Sequence, residues 1–215
     1  MQIKLENIIP IPLKENLQYR SSDIWNTTQV FNAGEWVNIK APSGTGKTTL
    51  IHFLYQLRFD FEGNIFWDNT NTKQINADAI AIVRQQKLSI VFQDLKLFGN
   101  LTARENIEIN RVLQQPYCAS EKIDEMAARL GITSILNQKV SLCSYGEQQR
   151  IAIIRALVQP FEFLLMDEPF SHLDTKNATL AWNLIKEDAL SKKAGILITS
   201  LDPYPFIEPH QTFIL

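Results

Sequence analysis

The stretch Ala41-Pro42-Ser43-Gly44-Thr45-Gly46-Lys47-Thr48-Thr49 constrains the fold of this chain more than any other. An apolar run, Trp36 to Lys40, precedes it and reads as a buried strand, and a helical run, Thr49 to Leu57, follows. A glycine-bearing turn between strand and helix is the setting in which a phosphate-binding loop works. Gly44 and Gly46 let the backbone turn so that successive N–H groups point inward as an anion nest. The helix behind them aims its positive end at the same point. Lys47 would reach the β- and γ-phosphates of a nucleotide, and the Thr48 hydroxyl would ligate Mg²⁺. Ala41, Pro42, Ser43, Gly44, Thr45, Gly46, Lys47, Thr48 and Thr49 are therefore the expected phosphate-binding set. Ala41 departs from the pattern, which begins with Gly. Alanine can take most of the backbone angles used there, so nucleotide binding is expected to survive.

Further buried strands are expected at Leu88 to Phe92, Phe161 to Asp167 and Gly195 to Thr199, each between helical stretches. That alternation argues for a mostly parallel α/β sheet covered on both faces. Ile3 to Leu5, Gln29 to Phe31 and Ile65 to Trp67 read as antiparallel or edge strands. The middle differs. Ile123, Met126, Ala127 and Leu130 recur at helical spacing with Gly131 as a stop, and little there reads as strand. The expectation is a single domain over 1–215, with an α/β nucleotide-binding core in 1–93 and 161–215 and a helical subdomain inserted at 94–160. Gly195 to Thr199 reads as the last strand, with no appended regulatory domain after it.

A second carboxylate site follows from Phe163-Leu164-Leu165-Met166-Asp167-Glu168. A buried strand would deliver Asp167 to the carboxyl edge of the sheet, where open α/β sheets bind their ligands. Asp167 would hold Mg²⁺ through water, and Glu168 would orient or polarise an attacking water. Ser144-Tyr145-Gly146-Glu147 fits the capping box S-x-x-E ahead of a helical run through Val158. A sharply capped helix with Gly in its first turn offers free N–H groups to an anion, so Ser144, Gly146 and Glu147 join the candidate set.

The remaining composition excludes more than it proposes. With 45% hydrophobic and 20% charged residues and a net charge of −2, the 215-residue chain is ordinary for a soluble globular protein. It has no Lys/Arg run that would track a nucleic-acid backbone. Its apolar runs are far too short to span a bilayer, so any membrane role must come through a partner. Cys118 and Cys143 form no C-x-x-C pair and carry no metal signal.

Taken in order, these segments resemble the ATP-binding cassette family over nearly the whole chain. Val91-Phe92-Gln93-Asp94 is similar to that family's Q-loop, Ser144 to Gln148 to its signature motif, and Ser171-His172-Leu173-Asp174 to its D-loop. Leu97 to Ile107 resembles ATPases of lipoprotein-release, macrolide-export and cell-division-type systems. The resemblance implies a RecA-like P-loop NTPase fold and an ATPase using ATP and Mg²⁺. Gln93 would then contact Mg²⁺ and the attacking water. It also implies a second ATPase protomer, an integral membrane permease as partner, and a cytoplasmic location on the inner face of the membrane. ATP would lie between the phosphate loop of one protomer and the signature helix of the other.

Several positions depart from the family or stay open within it. Ser200 stands where a switch histidine is expected, and a short neutral hydroxyl cannot supply the same contact. Hydrolysis is therefore expected to be slow, or another donor substitutes; His210 is a distant candidate and reads as an ordinary terminal histidine. Tyr19 and Trp25 are the candidates for an aromatic stacked on adenine. Cys143 reads as a small buried hydrophobe, and His52 and His172 as packing or surface residues. Competing readings are an ATP-gated module with little hydrolysis and a non-transport ABC ATPase. A small-molecule kinase is disfavoured, because it has no use for the signature helix.

Overall fold

The computed structural model describes residues 1–17, 21–113 and 116–215. The chain begins with β1 (Gln2–Pro10), the short helix α1 (Lys14–Leu17), β2 (Thr28–Asn32) and β3 (Trp36–Lys40). Next come α2 (Lys47–Leu54), β4 (Phe61–Trp67), β5 (Thr70–Asn71), α3 (Ala77–Gln86) and β6 (Leu88–Val91). Three helices follow: α4 (Ala103–Arg111), α5 (Glu121–Arg129) and α6 (Tyr145–Leu157). The chain closes with β7 (Phe163–Asp167), α7 (Thr175–Lys192), β8 (Gly195–Ser200) and β9 (Gln211–Ile214).

The main sheet has five strands in the order β6-β7-β8-β3-β9, and every pairing in it is parallel. Successive side chains of its buried strands go to opposite faces, and each face feeds its own core. Phe163, Leu165 and Leu197 join one cluster with α2 and the antiparallel strands. Leu164, Met166, Ile196 and Ile198 join the other, with α4, α5, α6 and α7. This explains why β7 and β8 read as unbroken apolar runs: a strand covered on both sides has no solvent face.

Two expectations change. The antiparallel strands do not extend an edge of the main sheet; they form a separate four-stranded sheet, β2-β1-β4-β5. β1 alternates buried and part-exposed residues, Ile3 and Leu5 facing in, so it covers the core from outside with one wet face. The last strand is β9, beyond β8, and it pairs with β3 from Val37↔Gln211 to Lys40↔Ile214. Its residues are mostly exposed, so its sequence lacks an apolar signature.

Helix starts are chemically marked. Thr102 with Glu105, and Ser144 with Glu147, form complete capping boxes, while Asn76 and Asp174 each accept a backbone N–H three residues on, at 2.8 Å. Each side chain satisfies donors that the first helical turn leaves free. Among its described residues, the 94–160 stretch carries α4, α5 and α6 and no strand of either sheet. Those helices share one apolar core with α7 and the second face of the main sheet.

Candidate functional site

β3 ends at Lys40 and α2 starts at Lys47, so the phosphate loop is strung between a central strand and a helix N-terminus. Gly44 (φ +76°) and Gly46 (φ +107°) supply the left-handed turns that bend it. A Cβ on Gly46 would lie 2.9 Å from Leu13 Cδ1 and 3.1 Å from Trp25 Cζ2, whereas one on Gly44 would meet nothing within 4 Å. Ala41 is fully buried and, among the described residues, is not one of those with positive φ. The position therefore tolerates a methyl group without left-handed strain, which is why Ala can stand where the pattern has Gly.

Lys47 is only 6% exposed, so its charge must be met by neighbours. Its Nζ donates to the Ala41 carbonyl at 2.7 Å and the Pro42 carbonyl at 3.1 Å, and lies 3.2 Å from Glu168 Oε1. The Thr48 hydroxyl donates to Gln93 Oε1 at 3.1 Å. Leu13, Ser43, Gly44, Gly46, Lys47, Thr48, Thr49, Gln93 and Glu168 line one cavity of about 220 Å³. The structure thus brings together the loop, its lysine, its hydroxyl, Gln93 and the carboxylate that follow one another only distantly in sequence.

Asp167 ends β7 and is buried; its Oδ1 accepts the Thr199 hydroxyl at 2.6 Å. Thr199 also fixes the next residue, its carbonyl accepting the Glu168 N–H at 3.2 Å. Glu168 sits at φ +47°, a left-handed conformation that turns the chain off the strand and its side chain toward Lys47. Thr48 Oγ1 and Gln93 Oε1, side by side with a buried carboxylate at the same sheet edge, are hard oxygen donors. That donor set fits Mg²⁺. Among the described residues no group of three His, Cys, Asp or Glu side chains gathers as a metal site.

Ser200 does not enter the cavity. It is fully buried, and its hydroxyl donates to Asn38 Oδ1 at 3.0 Å across β8 and β3. Strand alternation explains it: Thr199 takes the face toward Asp167, so Ser200 takes the opposite one. Ser200, expected at the position of the switch histidine, therefore does not line the phosphate-loop cavity and is corrected as a catalytic candidate. His210 is no substitute, because its Nδ1 accepts the Trp36 N–H at 2.9 Å, at the end of β3 away from the phosphate loop. Trp25 is also removed from the adenine candidates: it is 4% exposed and packs edge-on to Phe53 beneath the loop. Tyr19 lies outside the described residues.

Ser144 and Glu147 satisfy one another, Glu147 Oε2 accepting from the Ser144 N–H at 2.7 Å and the Ser144 hydroxyl at 2.9 Å. Ser144, Gly146 and Glu147 do not line the cavity of their own chain. Ser144 is exposed, and Gly146 packs closely on the His172 carbonyl, which a Cβ would approach to 3.2 Å. Tyr145 sets its ring 4.2 Å from that of His172, and its hydroxyl reaches the Gln93 carbonyl at 3.5 Å. Thr48, His52, Gln93, Asp94, Tyr145 and His172 line a second cavity of about 270 Å³ beside the first. Burial lowers the His52 pKa, against the opposing pull of Asp167, and favours the neutral ring. Burial raises the Cys143 thiol, as expected of an inert hydrophobe.

Sequence reasoning missed several residues here. Leu13 lines the cavity from the segment before β2 with no motif around it. Thr199, which bonds Asp167 through its hydroxyl, is brought beside it by strand pairing alone. Tyr204 packs against Phe170 (5.1 Å) and Phe206 (5.7 Å), and its hydroxyl is pushed up to about 12 by burial, with the Glu168 and Asp167 charges adding to the shift.

A family model described as ABC transporter matches residues 26–171. The chain is 34% identical to an uncharacterized ABC transporter ATP-binding protein, YvcR, of Bacillus subtilis over 171 residues, covering 79% of this chain and 66% of that one. It is 34% identical to the lipoprotein-releasing system ATP-binding protein LolD of Buchnera aphidicola, covering 79% and 75%. A solved dimeric structure of the ATP-binding cassette MJ0796, in a post-hydrolysis state bound to ADP and Pi, superposes with a TM-score of 0.79 at 27% identity, covering 93% of this chain and 88% of that one. The chain spans 66%, 56% and 48% of the length of three curated relatives that it matches. Among the described residues no helix is long and apolar enough to cross a membrane.

Proposed function

The chain belongs to the ABC transporter family, and from that premise we propose that it binds and hydrolyses ATP to drive a separate membrane permease. One observation carries the reading. Lys47, the Thr48–Gln93 oxygen pair and Glu168 converge on a single cavity at the carboxyl edge of a parallel sheet. In this reading Lys47 and the α2 N-terminus hold the β- and γ-phosphates. Thr48 Oγ1, Gln93 Oε1 and, through water, Asp167 would hold Mg²⁺, which when bound neutralises charge on the β- and γ-phosphate oxygens. Glu168 orients the water that attacks the γ-phosphate and accepts its proton.

The Ser144 helix supports a two-protomer site. It is sharply capped, its start is exposed, and none of Ser144, Gly146 and Glu147 lines the phosphate-loop cavity of its own chain. A second copy, packed head to tail, would bring the Tyr145 and Gly146 N–H groups onto the γ-phosphate held by Lys47 of the first. ATP then bridges the copies, and hydrolysis releases them. We further propose that 94–160 moves as the unit bearing this helix, and that the chain lies in the cytoplasm against the inner membrane face, through its permease.

One observation favours a second reading, an ATP-gated module with little hydrolysis: Ser200 is tied to Asn38 and offers the γ-phosphate nothing. Steady-state ATPase of purified protein separates the two. The transporter-ATPase reading expects wild-type turnover well above that of Glu168→Gln. Equal rates would remove hydrolysis and leave the gated module.

A further inference from the structure

α6 does more than present its capped start. Further along, Arg155 turns inward and is 8% exposed. Its Nη2 donates to the Leu95 carbonyl at 2.6 Å and its Nη1 to the Lys96 carbonyl at 2.7 Å. Among the described residues no carboxylate lies within ion-pair distance of this guanidinium. Burial pulls its pKa down to about 10, which still leaves it cationic at neutral pH. A cation held out of water needs dipoles in water's place, and these two carbonyls supply them.

The carbonyls belong to an unusual turn. Leu95 (φ +58°) and Lys96 (φ +47°) are consecutive non-glycine residues in the left-handed region, a conformation that L residues resist unless something holds it. Gln93 lies two residues before Leu95, with its Oε1 at the Thr48 hydroxyl. The same helix repeats the device. Gln149 Nε2 donates to the carbonyl of Glu168, another left-handed residue, at 3.4 Å, while Gln149 Oε1 accepts the His172 N–H at 3.1 Å.

We propose that Arg155 is a positioning residue: it clamps the Leu95–Lys96 turn to the Ser144 helix, fixes Gln93, and makes the Gln93 loop follow that helix when it moves. The inference rests on the ATP-hydrolysing reading above. A planar guanidinium forked across adjacent carbonyls has a defined direction as well as a charge. If α6 shifted while the loop stayed, a buried cation would lose both acceptors. The loop therefore travels with the helix, and occupancy of the signature end of α6 is felt at Gln93.

The test uses Arg155→Met, Arg155→Lys and Arg155→Met with Lys96→Gly. Nucleotide affinity, kcat, KM and backbone amide exchange are measured on each. A misplaced Gln93 lowers kcat of Arg155→Met by roughly ten- to a hundredfold with ATP affinity nearly unchanged. Lys96→Gly, which takes the left-handed turn freely, recovers part of that kcat; a general folding defect would not be rescued this way. Arg155→Lys keeps the charge but cannot span both carbonyls, so it falls between wild type and Arg155→Met, and it serves if the methionine variant fails to fold. Exchange needs no hydrolysis: the Leu95 amide, bonded to the Phe92 carbonyl at 3.1 Å, loses protection in the Arg155 variants while the α6 amides keep theirs. Unchanged kcat, ATP affinity falling in step with kcat, absence of glycine rescue, or unchanged Leu95 exchange overturns the proposal. A wild-type protein without ATPase sinks the hydrolytic reading instead, and the exchange result still decides the clamp.

Discussion

Gly46→Ala isolates the stereochemistry on which the phosphate loop depends. At φ +107°, Gly46 lies beyond the ordinary left-handed well, where an L residue is strained. The backbone part of the penalty is about 1–2 kcal/mol. The added methyl would also sit 2.9 Å from Leu13 Cδ1 and 3.1 Å from Trp25 Cζ2. Leu13 is partly exposed and can give way, but Trp25 is 4% exposed and braced against Phe53. Overpacking of this kind adds about 1–2 kcal/mol, for a total near 2–4 kcal/mol. In a chain of this size that lowers the thermal midpoint by roughly 5–15 °C. Gly44→Ala is the matched control: its φ is +76° and its Cβ would meet nothing within 4 Å, so only the backbone penalty applies. Thermal unfolding followed by circular dichroism without nucleotide measures both. A Gly46→Ala midpoint equal to or above that of Gly44→Ala would refute the packing of Trp25 and Leu13 against the loop.

Three further outcomes follow from other parts of the molecule. Ser144→Ala removes the N-cap and is expected to cost about 1 kcal/mol in urea unfolding; with Glu147→Ala the losses are less than additive, because both side chains belong to one capping box. His210→Ala leaves ATPase activity at the wild-type level, since that ring bonds Trp36 N–H at the far end of β3; a loss of activity would return it to the site. Tyr204 ionises near 12 when folded and about 10 when unfolded. Its contribution is therefore complete below pH ~10 and lost as the pH rises toward 12. Tyr204→Phe should lose stability less steeply across that window, and parallel profiles would show that the hydroxyl does not titrate as described.

What the sequence disclosed was mostly short-range. β3, the phosphate loop, β7 and the Ser144 capping box each depend on a few consecutive residues whose chemistry is visible locally. β9 was hidden because an exposed edge strand carries no apolar pattern. Trp25 misled because an aromatic side chain reads alike whether it faces a ligand or a core. Ser200 stands at the switch-histidine position by its order in the chain, yet its direction is set by strand parity: Thr199, one residue earlier, holds Asp167. Parity was available in the sequence once the β8 register was known. Arg155 could not be assigned, since its partners Leu95 and Lys96 lie 60 and 59 residues away and the turn they form has no sequence signature.

Sedimentation velocity of Glu168→Gln with and without MgATP tests the two-protomer site most directly. ATP clamped between Lys47 of one copy and the Ser144 helix of another predicts monomers without nucleotide and dimers with it, the dimers disappearing when Lys47→Ala is added. A Glu168→Gln protein that binds MgATP yet sediments as a monomer at every concentration would contradict the two-protomer site.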